Sequence, residues 1–134
     1  MGSFSNYIEN AVLDHVFKTA VYTPPTNIYV GLFTTSPDDA GGGVEVSGGN
    51  YSRVVVNSWS ASTTNVDGKA EISNAVEATF PTANADWGSI AAIGIFDDIS
   101  GGNLIAHSVV TIPKTIYDGD TASFSTDSII ITLD

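Results

Sequence analysis

Two adjacent prolines, Pro24 and Pro25, divide this chain into two hydrophobic periods, and that division constrains the fold more than any other feature. Before them, Ile8, Val12, Leu13, Val16 and Ala20 recur at three- to five-residue spacing and Phe17 widens the stripe, the pattern of an α-helix. Asn6 and Glu9 have the spacing of a capping pair, with Ser5 as the competing cap. Glu9 and Asp14 lie toward the start and Lys18 toward the end, the order that suits the helix dipole. Proline fixes φ and lacks an amide proton, so Thr23-Pro-Pro-Thr26 ends any helix. These signals predict a helix over residues 6–20.

After Pro25 the period falls to two. Ile28, Val30 and Leu32 line one face of a strand, and Tyr29, Gly31 and Phe33 line the other. Both faces are apolar, which predicts a central strand. Further strands are read at 44–46, 51–56, 69–72, 76–80, 90–97, 104–112, 115–117, 121–125 and 129–133. Gly-rich or Asp-rich turns punctuate them: 36–43, 47–50, Asp67-Gly68, 98–103 and 118–120. Short strands at this spacing predict a mainly β fold. The expectation is a single domain over 1–134, an antiparallel β-sandwich or partly open barrel in residues 27–134, with one N-terminal α-helix.

A chain of this length buries roughly two thirds of its unfolded surface, enough to fold without metal or disulfide. It has no Cys, which removes disulfides, thiolate metal sites and a cysteine nucleophile. Fifteen acidic residues face four basic ones, Lys18, Arg53, Lys69 and Lys114, for a net charge of −11. Four scattered cations cannot neutralise a run of phosphates or an anionic bilayer, so neither nucleic acid nor membrane insertion is expected. Residues 1–9 lack a basic stretch followed by an apolar core, so a soluble protein made inside a cell is expected.

No arrangement of residues reads as an active site. His15 falls on the helix and His107 within a strand, without the spacing that brings two imidazoles to one metal. Asp118 and Asp120 suggest a calcium loop but lack its further ligands, and aspartates are common in turns for local reasons. Glu71 and Glu77 are the one carboxylate pair considered for glycoside hydrolysis, with nothing apolar around them to raise a pKa. Trp87 precedes a strong strand and reads as the lid of the core, whereas Trp59, Tyr51 and Tyr117 are the candidates for contact with a ligand or partner. No catalytic residue, cofactor or metal is expected.

Several segments, taken in order, resemble a known family. They are Ser5-Asn-Tyr-Ile-Glu-Asn10, Ile28-Tyr-Val-Gly-Leu-Phe-Thr34, Glu45-Val-Ser-Gly-Gly-Asn-Tyr-Ser-Arg53, Phe80-Pro-Thr-Ala83 and Asp86-Trp-Gly88. Gly94-Ile-Phe-Asp97, Gly101-Gly-Asn-Leu104, Pro113-Lys-Thr115, Gly119-Asp-Thr121 and Ile131-Thr-Leu-Asp134 continue the series. Together they resemble the small tail-fibre-like virion proteins of tailed bacteriophages and prophages. The resemblance implies a non-enzymatic structural subunit of the virion whose partners are other virion proteins of tail or capsid, and a homo-oligomer. Tail association is the first reading. A head decoration subunit that cements the capsid is the second, and a carbohydrate-binding module using Trp59 and the tyrosines is the third. High negative charge keeps such a subunit soluble before assembly, so neighbouring copies are expected to meet through apolar or hydroxyl-rich patches. The helix, or a β edge near residues 28–34, is expected to supply that contact.

Overall fold

The computed structural model describes residues 2–133. A two-residue strand, β1 (Ser3–Phe4), leads into helix α1 (Asn6–Phe17). The strands β2 (Tyr29–Thr35), β3 (Val44–Glu45), β4 (Val54–Val55), β5 (Thr63–Thr64), β6 (Ala70–Ser73) and β7 (Ala78–Thr79) follow. The longest two, β8 (Gly88–Phe96) and β9 (Leu104–Ile116), form a hairpin, and β10 (Ser123–Phe124) and β11 (Ile130–Leu133) complete the fold.

All pairings are antiparallel. The main sheet runs β1-β9-β8-β2-β3, with β4 also on β2, and two small sheets, β10-β7 and β11-β6-β5, form the opposite layer. Between the layers lies the principal core. Val30, Leu32, Ile93, Ile95, Ala106 and Ile116 of the main sheet meet Ala78 of β7, Phe80, Trp87 and Ile129, with Phe124 and Ile131 beside them. The sheets do not close on each other, so the architecture is an open β-sandwich rather than a barrel.

The split of β2 into two apolar faces is observed. Val30 and Leu32 enter the principal core, while Phe33 joins Ala92 and Phe96 in a second cluster behind the sheet, flanked by Tyr29 and Leu104. Phe33 and Phe96 stack there with centroids 6.1 Å apart. With β8 on one side and β3 and β4 on the other, β2 is central, so the expectation of a β edge at residues 28–34 is corrected.

Two other boundaries differ from expectation. The helix stops at Phe17 instead of residue 20: Thr19 takes a left-handed φ of 57°, and the Lys18 and Ala20 amides both donate to the Asp14 carbonyl. His15 Nδ1 lies 3.1 Å from the Ala20 carbonyl and accepts from the Tyr22 amide, folding residues 20–22 back along the helix. The 118–120 turn forms as read, with the Asp120 amide donating to the Tyr117 carbonyl. Its flanking strands, however, part company: β9 pairs with β8 and β10 with β7. Pro113 lies in the irregular stretch of β9, where the register against β8 shifts between Ile90 and Ala92, a place where a missing amide donor is tolerated.

The β8–β9 turn is built by its sequence. Asp97 accepts from both the backbone amide and the side-chain amide of Asn103, at 2.6 and 2.8 Å. Gly102 crosses over that carboxylate at φ 69°, and a Cβ there would lie 2.6 Å from Asp97 Oδ1.

Candidate partner interface

Two regions carry unusual chemistry, and they lie on the same side of the main sheet. The first is a polar relay at the edge of β2. Strands β3 and β4 pair with β2 at its two ends, leaving Gly31 and Leu32 between them without a complete ladder partner. The Val46 amide donates to the Leu32 carbonyl, and the Leu32 amide donates to the Tyr51 hydroxyl at 2.9 Å. A phenol oxygen thus stands where a strand carbonyl would be. Tyr51 passes its own proton toward Glu45 Oε1, 2.8 Å away, and Arg53 grips both oxygens of that carboxylate at 2.8 Å.

The guanidinium is also a staple. Arg53 Nη1 donates to the carbonyls of Asp98 and Gly101, each at 2.8 Å, and its plane lies 3.4 Å from the centre of the Phe96 ring. One buried cation therefore joins β3, the strand entering β4 and the tip of the β8–β9 hairpin. The relay passes over Gly31, where a Cβ would stand 2.8 Å from Glu45 Oε1 and 3.1 Å from the Tyr51 hydroxyl. Burial, followed by the hydrogen bond to Glu45, pushes the Tyr51 phenol well above its ordinary pKa of 10.0, outweighing the Leu32 bond that lowers it.

The second region is the exposed side of α1, which lies against β1 and β9. Ile8 is its one buried residue. By the 3.6-residue period Leu13 and Phe17 point away from Ile8, with Val16 beside them and Val12 on the shoulder. Their exposure agrees: Val12 37%, Leu13 56%, Val16 61% and Phe17 78%. Val21, just past the helix end, is 85% exposed. A surface helix ordinarily turns such residues inward; this one turns them out. Ser5 caps the helix only in position, because its hydroxyl donates to the Leu104 carbonyl instead of to a helix amide.

Acidic groups lie on the helix and at its start. Glu9 and Asp14 sit on the helix, and the Asn6 amide donates to the carbonyl of Asp39, in the 38–41 turn. Just past the helix end, burial, then Tyr7 and Asp97, raise the pKa of Tyr22. Asp39 is tied down by Ser3, whose hydroxyl donates at 2.7 Å, and by His107 Nε2 at 2.9 Å. The Ser3 bond, then the His107 bond, hold its carboxyl below the usual value. Ser, His and Asp meet here, but both Ser3 Oγ and Asp39 address the same His107 nitrogen, and the serine proton points to the aspartate. A triad would set the imidazole between the serine and the aspartate, and this arrangement does not.

The sequence-read candidates lie elsewhere. Tyr51 is half-buried, its ring edge-on to Trp87 at 5.4 Å and stacked near Phe80. Trp59 is half-buried, its Nε1 donating to the Val56 carbonyl at 2.8 Å. Tyr117 is exposed beside Asp120, whose carboxylate accepts from the Tyr117 amide. No ring contact joins these three among the described residues. Trp87 is buried and donates to the Gly49 carbonyl, the lid role read for it. Glu71, on β6, accepts from Asn65, whereas Glu77 accepts from Thr79 near β7, so the pair is divided between two sheets. Among the described residues no three His, Asp or Glu side chains converge as metal ligands, and no helix is long and apolar enough to cross a membrane.

Arg53 and Asn74 were invisible as special residues in the sequence. Asn74 is fully buried. It donates to the Val76 and Ser125 carbonyls and accepts from the Ile129 amide. No local sequence signal marks it, because its partners Ser125 and Ile129 lie 51 and 55 residues away. For Arg53 the signal was Glu45 eight residues earlier across a Gly-Gly turn, a spacing compatible with an ion pair between neighbouring strands.

A family model described as podophage GP4 fiber I protein gp80 matches residues 3–132. The chain belongs to this family. The match starts in β1 and ends in β11, so it takes in both the relay and the exposed helix, and it bears out the resemblance to phage tail-fibre-like proteins. No curated protein matches the chain.

Proposed function

We propose that this chain is a non-enzymatic, tail-associated fibre subunit that acts as one domain and is held in the phage particle by other virion proteins. The observation that carries the reading is the match to a fibre-protein family along residues 3–132. The chemistry of the molecule supports it. The side chains that could have done acid–base work are spent on architecture: Asp97 on its turn, Asp120 on the Tyr117 amide, Glu45 on Arg53 and Tyr51. Among the apolar residues left exposed is a helix face, the kind of surface that assembly uses. Gold-labelled antibody against the protein, applied to intact source virions and viewed by negative-stain microscopy, is expected to decorate the tail. Gold spread evenly over the head would replace this reading with that of a capsid decoration subunit.

A further inference from the structure

We propose that the outward face of α1, centred on Leu13, Val16 and Phe17, seats in an apolar groove with a basic rim on a larger virion protein. The inference rests on the tail-component reading and adds the surface used and the chemistry of its partner. The apolar centre follows from the exposure of those three side chains, which nothing among the described residues covers. The partner's sign follows from the rim. Glu9 and Asp14 lie on the helix and Asp39 lies at its start, in a chain whose net charge is −11. Lys18, at the helix end, stands 3.6 Å from Asp14. The nearby guanidinium of Arg53 is buried under the hairpin and engaged with Glu45.

This arrangement disfavours a second copy as the occupant. Pairing two such faces brings two acidic rims together in molecules that each carry −11, and like charges across an interface are strongly penalised. A helix laid in a groove, by contrast, buries its apolar ridge on three sides and sets its rim against complementary charge, the usual mode for an isolated apolar helix face. The apolar residues then supply the affinity, and the carboxylates supply steering and salt dependence.

The test uses particles assembled without this protein as the probe and the purified full chain as the ligand, read by co-sedimentation across a salt series. Wild type is expected to load saturably and to weaken as salt rises. Leu13→Asp and, separately, Phe17→Ser are expected to weaken loading by roughly 30-fold or more while leaving the melting temperature unchanged. Glu9→Lys is expected to load less well, with a shallower salt dependence. Loading of both helix variants at wild-type strength would overturn the inference and leave the tail-component reading intact. Loading that strengthens with salt would overturn the basic rim. Self-association of wild type that Leu13→Asp abolishes would make a second copy the occupant instead. Failure of wild type to load at all would overturn both the inference and the reading beneath it.

Discussion

At the edge of β2 the buried polar side chains are answered, and on α1 apolar ones are left exposed. The relay through Leu32, Tyr51, Glu45 and Arg53 replaces missing ladder partners with side chains and closes over Phe96. It leaves no buried side-chain donor or acceptor orphaned among the described residues. Little could bind there without breaking bonds that the fold needs. The helix has the opposite economy: Ile8 alone anchors it by burial, and its best apolar area faces outward. One region completes the molecule, and the other presents apolar surface to solvent. Buried polar groups mark where this fold is held, and the exposed helix face is where the proposed contact falls.

Arg53→Ala gives the sharpest way to break this contrast. It strands the half-buried Glu45 carboxylate and two hairpin carbonyls, so urea unfolding is expected to show a loss of about 3 kcal/mol. Arg53→Lys should recover little of it, because an ammonium cannot make the paired contacts or lie flat on Phe96. A loss below about 1 kcal/mol would mean the relay is ornamental to stability.

Tyr51→Phe comes next, at about 2 kcal/mol, because the Leu32 amide is left buried without an acceptor. The same residue sets an alkaline limit. Its folded pKa lies above the unfolded value of 10.0, so its contribution is complete below pH 10 and drains away as pH rises toward the folded value. A spectrophotometric titration should show Tyr51 lagging furthest, until the protein unfolds, with Tyr22 delayed as well. Simultaneous ionisation of all five would contradict the buried placement.

The smallest expected effect lies on the helix. Leu13→Asp and Phe17→Ser in the isolated protein should change stability by no more than about 0.5 kcal/mol, since neither side chain is buried. A loss of 2 kcal/mol or more from either would show that the face is packed after all and would dissolve the contrast.

Much of this was legible in the sequence, for identifiable reasons. The proline pair, the two-residue period of β2 and the Asp/Gly turns act locally, and local signals survive translation into structure. The helix was equally legible, but its stripe is divided in the structure: Ile8 turns inward, whereas Leu13 and Phe17 turn out. Its direction depends on Ser5 and Asn6 bonding to Leu104 and Asp39, far along the chain. Arg53 was counted only as a scattered charge, because its partners come from Glu45 and from carbonyls 45 and 48 residues away. The tyrosine at 51 was read as a contact candidate for the same reason: its role arises from a gap in a sheet, and no single-residue signal reports a gap.

The most direct measurement is hydroxyl-radical footprinting of the protein, free in solution and within intact virions. The account predicts that Leu13, Val16 and Phe17 label readily in the free protein and lose most of that labelling in the particle, while buried Phe80 stays silent in both. Equal labelling of the three helix residues in both states would contradict it.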